Sequence, residues 1–521
     1  MAGATARPRG GPTARGRRIA LCGLAALTLA VGAPPPVSAA TPLWTGIMEP
    51  PAFSRSGSVS FERASLTGAT LARIWLFWDE VAGSEPPPDP TNWSSASYDW
   101  SSIDKQVVNA TNAGLTPILD IRSAPGWAET APIPAGVRAG TWKPSLTALG
   151  DFAQAAATRY DGTHAAADGT PLPPVRFWQV WNEPNGSPFL TPVSVNGALF
   201  SPRYYLRMLN AASARIHLVE SGNLVVTGSV SPFHHPNVVA PLIFMANMLC
   251  MSQTAPYHKL SRCPAKAHFD IWAQNPYTTG GPTHGAYFPY DVSLGDMGKV
   301  RRLLDAAVKA GRIASGCLAI RCPGIGRHVG LWIAEFSWDS RPPDPKGVPA
   351  DLEARWVAEA LYHVYRLGVT AFIWHRLRDD PLTTSPYQSG LYACASATDC
   401  SVIANDRPKP ALQAFRFPFV AFRRPVGVSV WGRTPWGEPG LVAVERRTAS
   451  GWRRLGTAWT TRAGIFSAFF RTALRAGELR ARYTAGDPAH PVGTYTSLRF
   501  SLTTPPDRSV AVFGCGGPIA C

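Results

Sequence analysis

Eight times between residues 41 and 420 the sequence repeats one pattern: a short run of β-branched and aromatic residues, then a longer stretch with apolar residues at helical spacing. The runs fall at 45–48, 72–77, 116–121, 175–181, 224–229, 269–275, 330–334 and 369–374. Their spacing, with helical patterns between, suits parallel strands joined by crossover helices. Asp99 precedes a helical stretch over 103–113, and Gly114 stops it just ahead of the third run. Over 351–367, Leu352, Trp356, Ala360, Val364 and Leu367 share one helical face, and Gly368 ends it where the eighth run begins. Eight such units predict an α/β fold, a (β/α)8 TIM barrel with inserted loops. The alternative is an open doubly wound sheet, but no glycine-rich phosphate turn follows the first run.

From about residue 421 the pattern changes. Short alternating runs at 426–431, 441–445, 464–470, 478–483, 498–502 and 510–513 are separated by Gly, Pro and polar turns, with no helical period. This predicts a small all-β sandwich over 421–521. No long Pro- or Ser-rich linker precedes it, so it is expected to dock against the barrel.

The N-terminus reads as an export signal. Arg7, Arg9, Arg15, Arg17 and Arg18 are followed by an apolar stretch over 19–33 and a small-residue end at Ser38-Ala39-Ala40, which predicts a signal peptide over 1–39. No apolar run is long enough for a stable membrane span. Beyond that segment eight cysteines remain, and their clustering predicts the bridges 250–263, 317–322, 394–400 and 515–521. These pairs lack partner histidines, so neither a metal nor a cofactor is expected. The net charge of +16 is concentrated in the leader and in the module after residue 420, which carries 14 Arg and 5 acids. That distribution argues against a nucleic-acid partner; the module's arginines suit an anionic glycan or a cell surface.

Two glutamates stand where a barrel places its chemistry, at the C-terminal ends of strands. The fourth run ends Trp181-Asn182-Glu183-Pro184, and the seventh continues Ile333-Ala334-Glu335-Phe336. A carboxylate beside apolar aromatic strands is costly unless it is used or partnered. One protonated and one ionised carboxylate are what glycosidic bond hydrolysis requires.

The Trp-Asn-Glu-Pro tetrapeptide on the fourth strand, with Glu335 on the seventh, resembles the clan A retaining glycoside hydrolases, most closely families 39 and 5. The resemblance covers roughly residues 41–420. It implies a (β/α)8 barrel acting on a carbohydrate, with Glu183 as acid/base and Glu335 as nucleophile. It also implies that Asn182 binds the sugar 2-hydroxyl, that Arg73 holds the nucleophile ionised, that Tyr277 lies beside Glu335, and that Trp374 floors the subsite at the cleavage point. The family often has His-x-Tyr after strand six; this chain reads Asn275-Pro276-Tyr277, and an amide hydrogen-bonds but does not titrate. Trp75, Trp78, Trp127 and Trp338 are further candidates for stacking on a sugar. The competing reading is a catalytically inactive carbohydrate-binding or surface-adhesion protein on a barrel scaffold. No serine elbow, Cys/His pair or His-Glu-x-x-His supports a protease or esterase.

Overall fold

The structure, a computed structural model, describes residues 42–502. The expected leader, the run at 510–513 and the 515–521 bridge lie outside the described residues.

Eight parallel strands close into a barrel in sequential order: β1 (Trp44–Met48), β2 (Leu71–Phe77), β3 (Thr116–Arg122), β4 (Phe177–Asn182), β5 (Leu224–Ser229), β6 (Ile271–Gln274), β7 (Gly330–Phe336) and β8 (Ala371–His375), with β8 pairing back to β1. A helix follows each: α1 (Ser58–Ser65), α2 (Ser101–Asn112), α3 (Leu146–Arg159), α4 (Ser201–Val219), α5 (Pro241–Leu249), α6 (Met297–Lys309), α7 (Ala350–Arg366) and α8 (Pro410–Arg416). The punctuation acts as expected. Asp99 Oδ1 accepts the Ser101 amide at the start of α2. Gly114 and Gly368 take φ of +76° and +75° after α2 and α7, a conformation glycine adopts without a Cβ clash.

Side-chain alternation sorts the barrel strands into two cores. Met48, Leu71, Ile118, Phe177, Leu224, Ile271, Trp332, Ala371 and Ile373 fill the barrel's interior. Their neighbours, such as Ala72, Leu119, Trp178, Val225, Phe372 and Trp374, belong to the outer core shared with the helices. The apolar interior fill gives way to polar residues toward the C-terminal ends of the strands.

Beyond α8 the chain forms two antiparallel sheets. One comprises β9 (Phe419–Arg424), β10 (Gly427–Arg433) and β13 (Ile465–Arg471); the other has the order β12 (Gly451–Trp459), β11 (Leu441–Thr448), β14 (Glu478–Ala485), β15 (Gly493–Thr496), with β16 (Phe500–Ser501) also on β14. Three of these strands, β9, β12 and β15, lie outside the expected runs. β12 and β15 are sheet edges, and β12 buries only Ala458, with Arg453 and Arg454 side by side and exposed. The expected strand at 498–502 shrinks to Phe500–Ser501.

The sheets lie against α7, where Tyr362 meets Phe422 and Trp431 at ring-centroid distances of 5.2 and 5.5 Å. A second anchor joins them to α1, where Trp436 Nε1 donates to the Ser65 carbonyl. Disulfides link Cys250–Cys263, Cys317–Cys322 and Cys394–Cys400.

Candidate active site

Both glutamates reach the barrel mouth because their strands break alternation. On β7, Trp332 and Ala334 face inward, so a regular strand would turn Glu335 outward. Instead the β7–β8 pairing slips between Ile333 and Phe336, three residues on β7 spanning two on β8. This β-bulge re-aims Glu335 toward the axis. On β4, Trp181 and Glu183 have φ of +73° and +41°, strained values for side chains of this size. Trp181 is thereby turned into the outer core, where its Nε1 donates to the Phe189 carbonyl, while Asn182 and Glu183 both meet residues of the mouth.

Arg73 on β2 organises the floor. Fully buried, it donates through Nη2 to Asp120 Oδ2 and Asn182 Oδ1, both at 2.8 Å, and through Nη1 to Glu335 Oε2 at 3.3 Å. A buried guanidinium is tolerable only with such compensation. Asn182 Oδ1 also accepts from Ser229 Oγ at 3.1 Å. Above Arg73, the Arg122 guanidinium lies 4.3 Å over the Trp75 ring and 3.8 Å from Asp120.

Glu335 is also bound from the opposite side. Tyr277 Oη donates to Oε1 at 2.8 Å and lies 3.3 Å from His375 Nδ1. Tyrosine has one hydroxyl proton, so with that proton on Glu335 the second contact requires His375 to donate from Nδ1. Asn275 Nδ2 donates to Glu183 Oε1 at 2.8 Å.

These surroundings drive the two carboxyls apart. Burial and the negative charge of Glu335 push Glu183 up to about 8, against the Asn275 hydrogen bond and the two guanidiniums. Burial would also raise Glu335. Positive charge at a protonated His375 and at Arg73, the Tyr277 hydrogen bond, and Arg122 outweigh it and hold Glu335 below its ordinary value. Burial lowers His375 itself to about 4, against the charge of Glu335, which favours its protonated form. One carboxyl is therefore protonated and its neighbour ionised. The side chain of Glu335 is 17% exposed, so the charged partner is open to solvent.

The structure thus brings Arg73, Asn182, Glu183, Asn275, Tyr277 and Glu335 together. Three tryptophans are corrected. Trp374 does not floor the site: as the outward residue of β8 it is fully buried, with Nε1 donating to the Ser389 carbonyl and its ring against Phe415. Trp338 is buried against Trp356 and bonded to the Gly280 carbonyl. Trp78 is fully buried, stacked on Phe152 of α3. Trp127 is half-buried in the loop after β3, edge-on to Trp78 and bonded to Gly83. Trp75 faces inward beneath Arg122.

Sequence reasoning missed Asp120, Arg122, Ser229, His375 and Tyr387, whose ring meets His375 edge-on at 5.2 Å. The signal available for the first four was a polar residue inside or ending an otherwise apolar barrel strand.

No family model matches the chain, and no curated protein does. Solved structures similar to it include a family 39 glycoside hydrolase from Bacteroides cellulosilyticus WH2, with 14% identity, 83% of this chain and 79% of that one covered, and a TM-score of 0.48. A GH39 β-xylosidase from Caulobacter crescentus has 17% identity, coverage of 80% and 84%, and a TM-score of 0.46. A GH30 endoxylanase from Clostridium papyrosolvens has 11% identity, coverage of 82% and 94%, and a TM-score of 0.41.

Proposed function

We propose that this chain is a secreted retaining glycoside hydrolase that cleaves O-glycosidic bonds of an oligo- or polysaccharide. The observation that carries the reading is the pair Glu183 and Glu335, placed at one barrel mouth with opposite proton affinities. Glu335 attacks the anomeric carbon as the bond to the leaving oxygen breaks, and Glu183 gives that oxygen its proton. A glycosyl ester on Glu335 results. Water then adds to the same carbon, Glu183 takes its proton, and the ester bond breaks to free Glu335. Two inversions leave the anomeric configuration unchanged. Asn182, its carbonyl oxygen occupied by Arg73 and Ser229, keeps its amide protons for a sugar hydroxyl.

Export rests on the leader pattern, and the three disulfides fit an oxidising compartment. The antiparallel module serves as an accessory to the barrel, with its arginines toward an anionic glycan or surface. Proton NMR of the first product from an aryl glycoside tests the reading. Retained configuration, with turnover abolished by Glu335→Gln, supports it. An inverted product refutes the retaining mechanism, and no turnover across a panel of sugars favours a binding barrel.

A further inference from the structure

Far along the chain from the glutamates, the module gathers a second set of polar groups. Glu438 follows the turn Pro435–Gly437. Asp487 and His490 lie in the loop between β14 and β15, closed by the His490 amide donating to the Asp487 carbonyl. One ligand atom from each of the three side chains lies within 4.8 Å of the other two. Glu438 is only 6% exposed; its Oε2 accepts from Tyr483 Oη at 3.1 Å, but its Oε1 is inaccessible to solvent and has no hydrogen-bond partner. His490 Nδ1 is likewise buried without a hydrogen bond, and it stands 3.7 Å from that same Oε1, beyond hydrogen-bond reach.

With His490 protonated the two atoms form a loose ion pair; with it neutral both are left without a hydrogen bond, which is costly and which native proteins rarely leave so. The separation suits a shared cation: ligands about 2.1 Å from a tetrahedral ion lie roughly 3.4 Å apart. We propose that Glu438 Oε1, the Asp487 carboxylate and His490 Nδ1 form a binding site for a divalent cation of the zinc type, with water completing the coordination. One imidazole and two carboxylates suit a borderline ion better than calcium or magnesium, which prefer all-oxygen sets.

The groups behind the ligands are already ordered. The Trp436 ring lies 4.8 Å from the His490 ring and is backed by Tyr495 at 5.3 Å, which fixes the imidazole plane. Tyr483 orients Glu438 from the other side. Such outer partners hold ligands in place before the ion arrives. Trp436 has φ of +55° and is bonded to Ser65 of α1. An ion here ties the turn, the β14–β15 loop and the contact with the barrel into one unit, so its effect is on stability.

The test is calorimetric titration of the chelator-treated, untagged full chain with zinc sulfate at neutral pH. One saturable site with a micromolar or tighter Kd is expected, together with a higher Tm in zinc. Asp487→Asn, which keeps the Oδ1 that accepts the Ala489 amide, and His490→Gln should each weaken binding at least tenfold. With cobalt(II) in place of zinc, the visible bands of a tetrahedral site should appear in the wild type and disappear in His490→Gln. No saturable binding overturns the proposal. So does a zinc site whose affinity and cobalt spectrum neither substitution changes, which would place the ion at exposed histidines such as His258 or His268.

Discussion

Asn275 Nδ2 donates to Glu183 Oε1 at 2.8 Å, so that oxygen is held as an acceptor and a proton on Glu183 sits on Oε2. An amide in this position cannot compete for the proton, which a histidine would do. The bond favours the ionised form of Glu183 and so opposes burial. Asn275→Ala should therefore move the alkaline limb of the kcat/KM profile to higher pH and lower kcat/KM about tenfold, the scale of one lost hydrogen bond. Profiles of kcat/KM against pH on an aryl glycoside check both.

The intact protein should show a bell-shaped profile. Glu183 must be protonated to act as acid, so activity is lost as pH rises through about 8. Glu335 must be ionised to attack, so activity on the acid side is kept until the pH falls through its depressed value, below that of an ordinary carboxyl. The two are linked, because the charge of Glu335 is one cause that raises Glu183. In Glu335→Gln that charge is gone, and Glu183 should titrate below 8. Carboxyl-labelled 13C NMR of the variant reads this directly; an unchanged value would show that burial alone sets the proton affinity of Glu183.

All eight barrel strands were legible because each is an apolar run set off by helix and glycine signals, and burial on both sides leaves few other readings. The glutamates were legible as charges at the ends of such runs. What was not legible is direction. A one-residue change of register reverses every side chain of a strand, and the sites that matter lie where the register breaks: the bulge before Glu335 and the positive φ at Trp181 and Glu183. At β8 alternation held, and it is His375, following Trp374, that turns inward to meet Tyr277. Nothing in the residue types marks which of two adjacent aromatic rings faces the barrel mouth. Edge strands β12 and β15 were missed for the opposite reason: exposure lets their sequences stay polar.

That distinction between Trp374 and His375 has consequences for mutation. Trp374→Ala empties a fully buried site and removes the bond to the Ser389 carbonyl, so it should cost about 3–5 kcal/mol of stability. His375→Ala removes the partner of Tyr277, so it should lower kcat, and as a smaller buried side chain it should cost less stability than Trp374→Ala. Chemical denaturation and steady-state kinetics on the two variants separate these effects. If Trp374→Ala instead raised KM selectively at unchanged stability, the ring would belong to the subsite after all.

Glu353 on α7 is fully buried with neither carboxyl oxygen hydrogen-bonded. Burial, reinforced by the charges of Asp379 and Asp339 and opposed by Lys409, pushes it up to about 8. In the unfolded chain it titrates near the ordinary value of 4.5. Between these two values the folded state holds a proton that the unfolded state releases, so this group's contribution to stability is complete below about 4.5 and is lost as pH rises through about 8. Glutamine has the same shape and never ionises. Glu353→Gln should therefore gain over the wild type as pH rises, with the difference in Tm between pH 5 and pH 8.5 on the order of 2 °C or more. Its catalytic profile should not move, because Glu353 makes no contact with either catalytic carboxyl. Thermal unfolding at both pH values checks the sign: a gap that narrows toward alkaline pH would mean that Glu353 is ionised in the folded protein, with Lys409 and not burial deciding its charge.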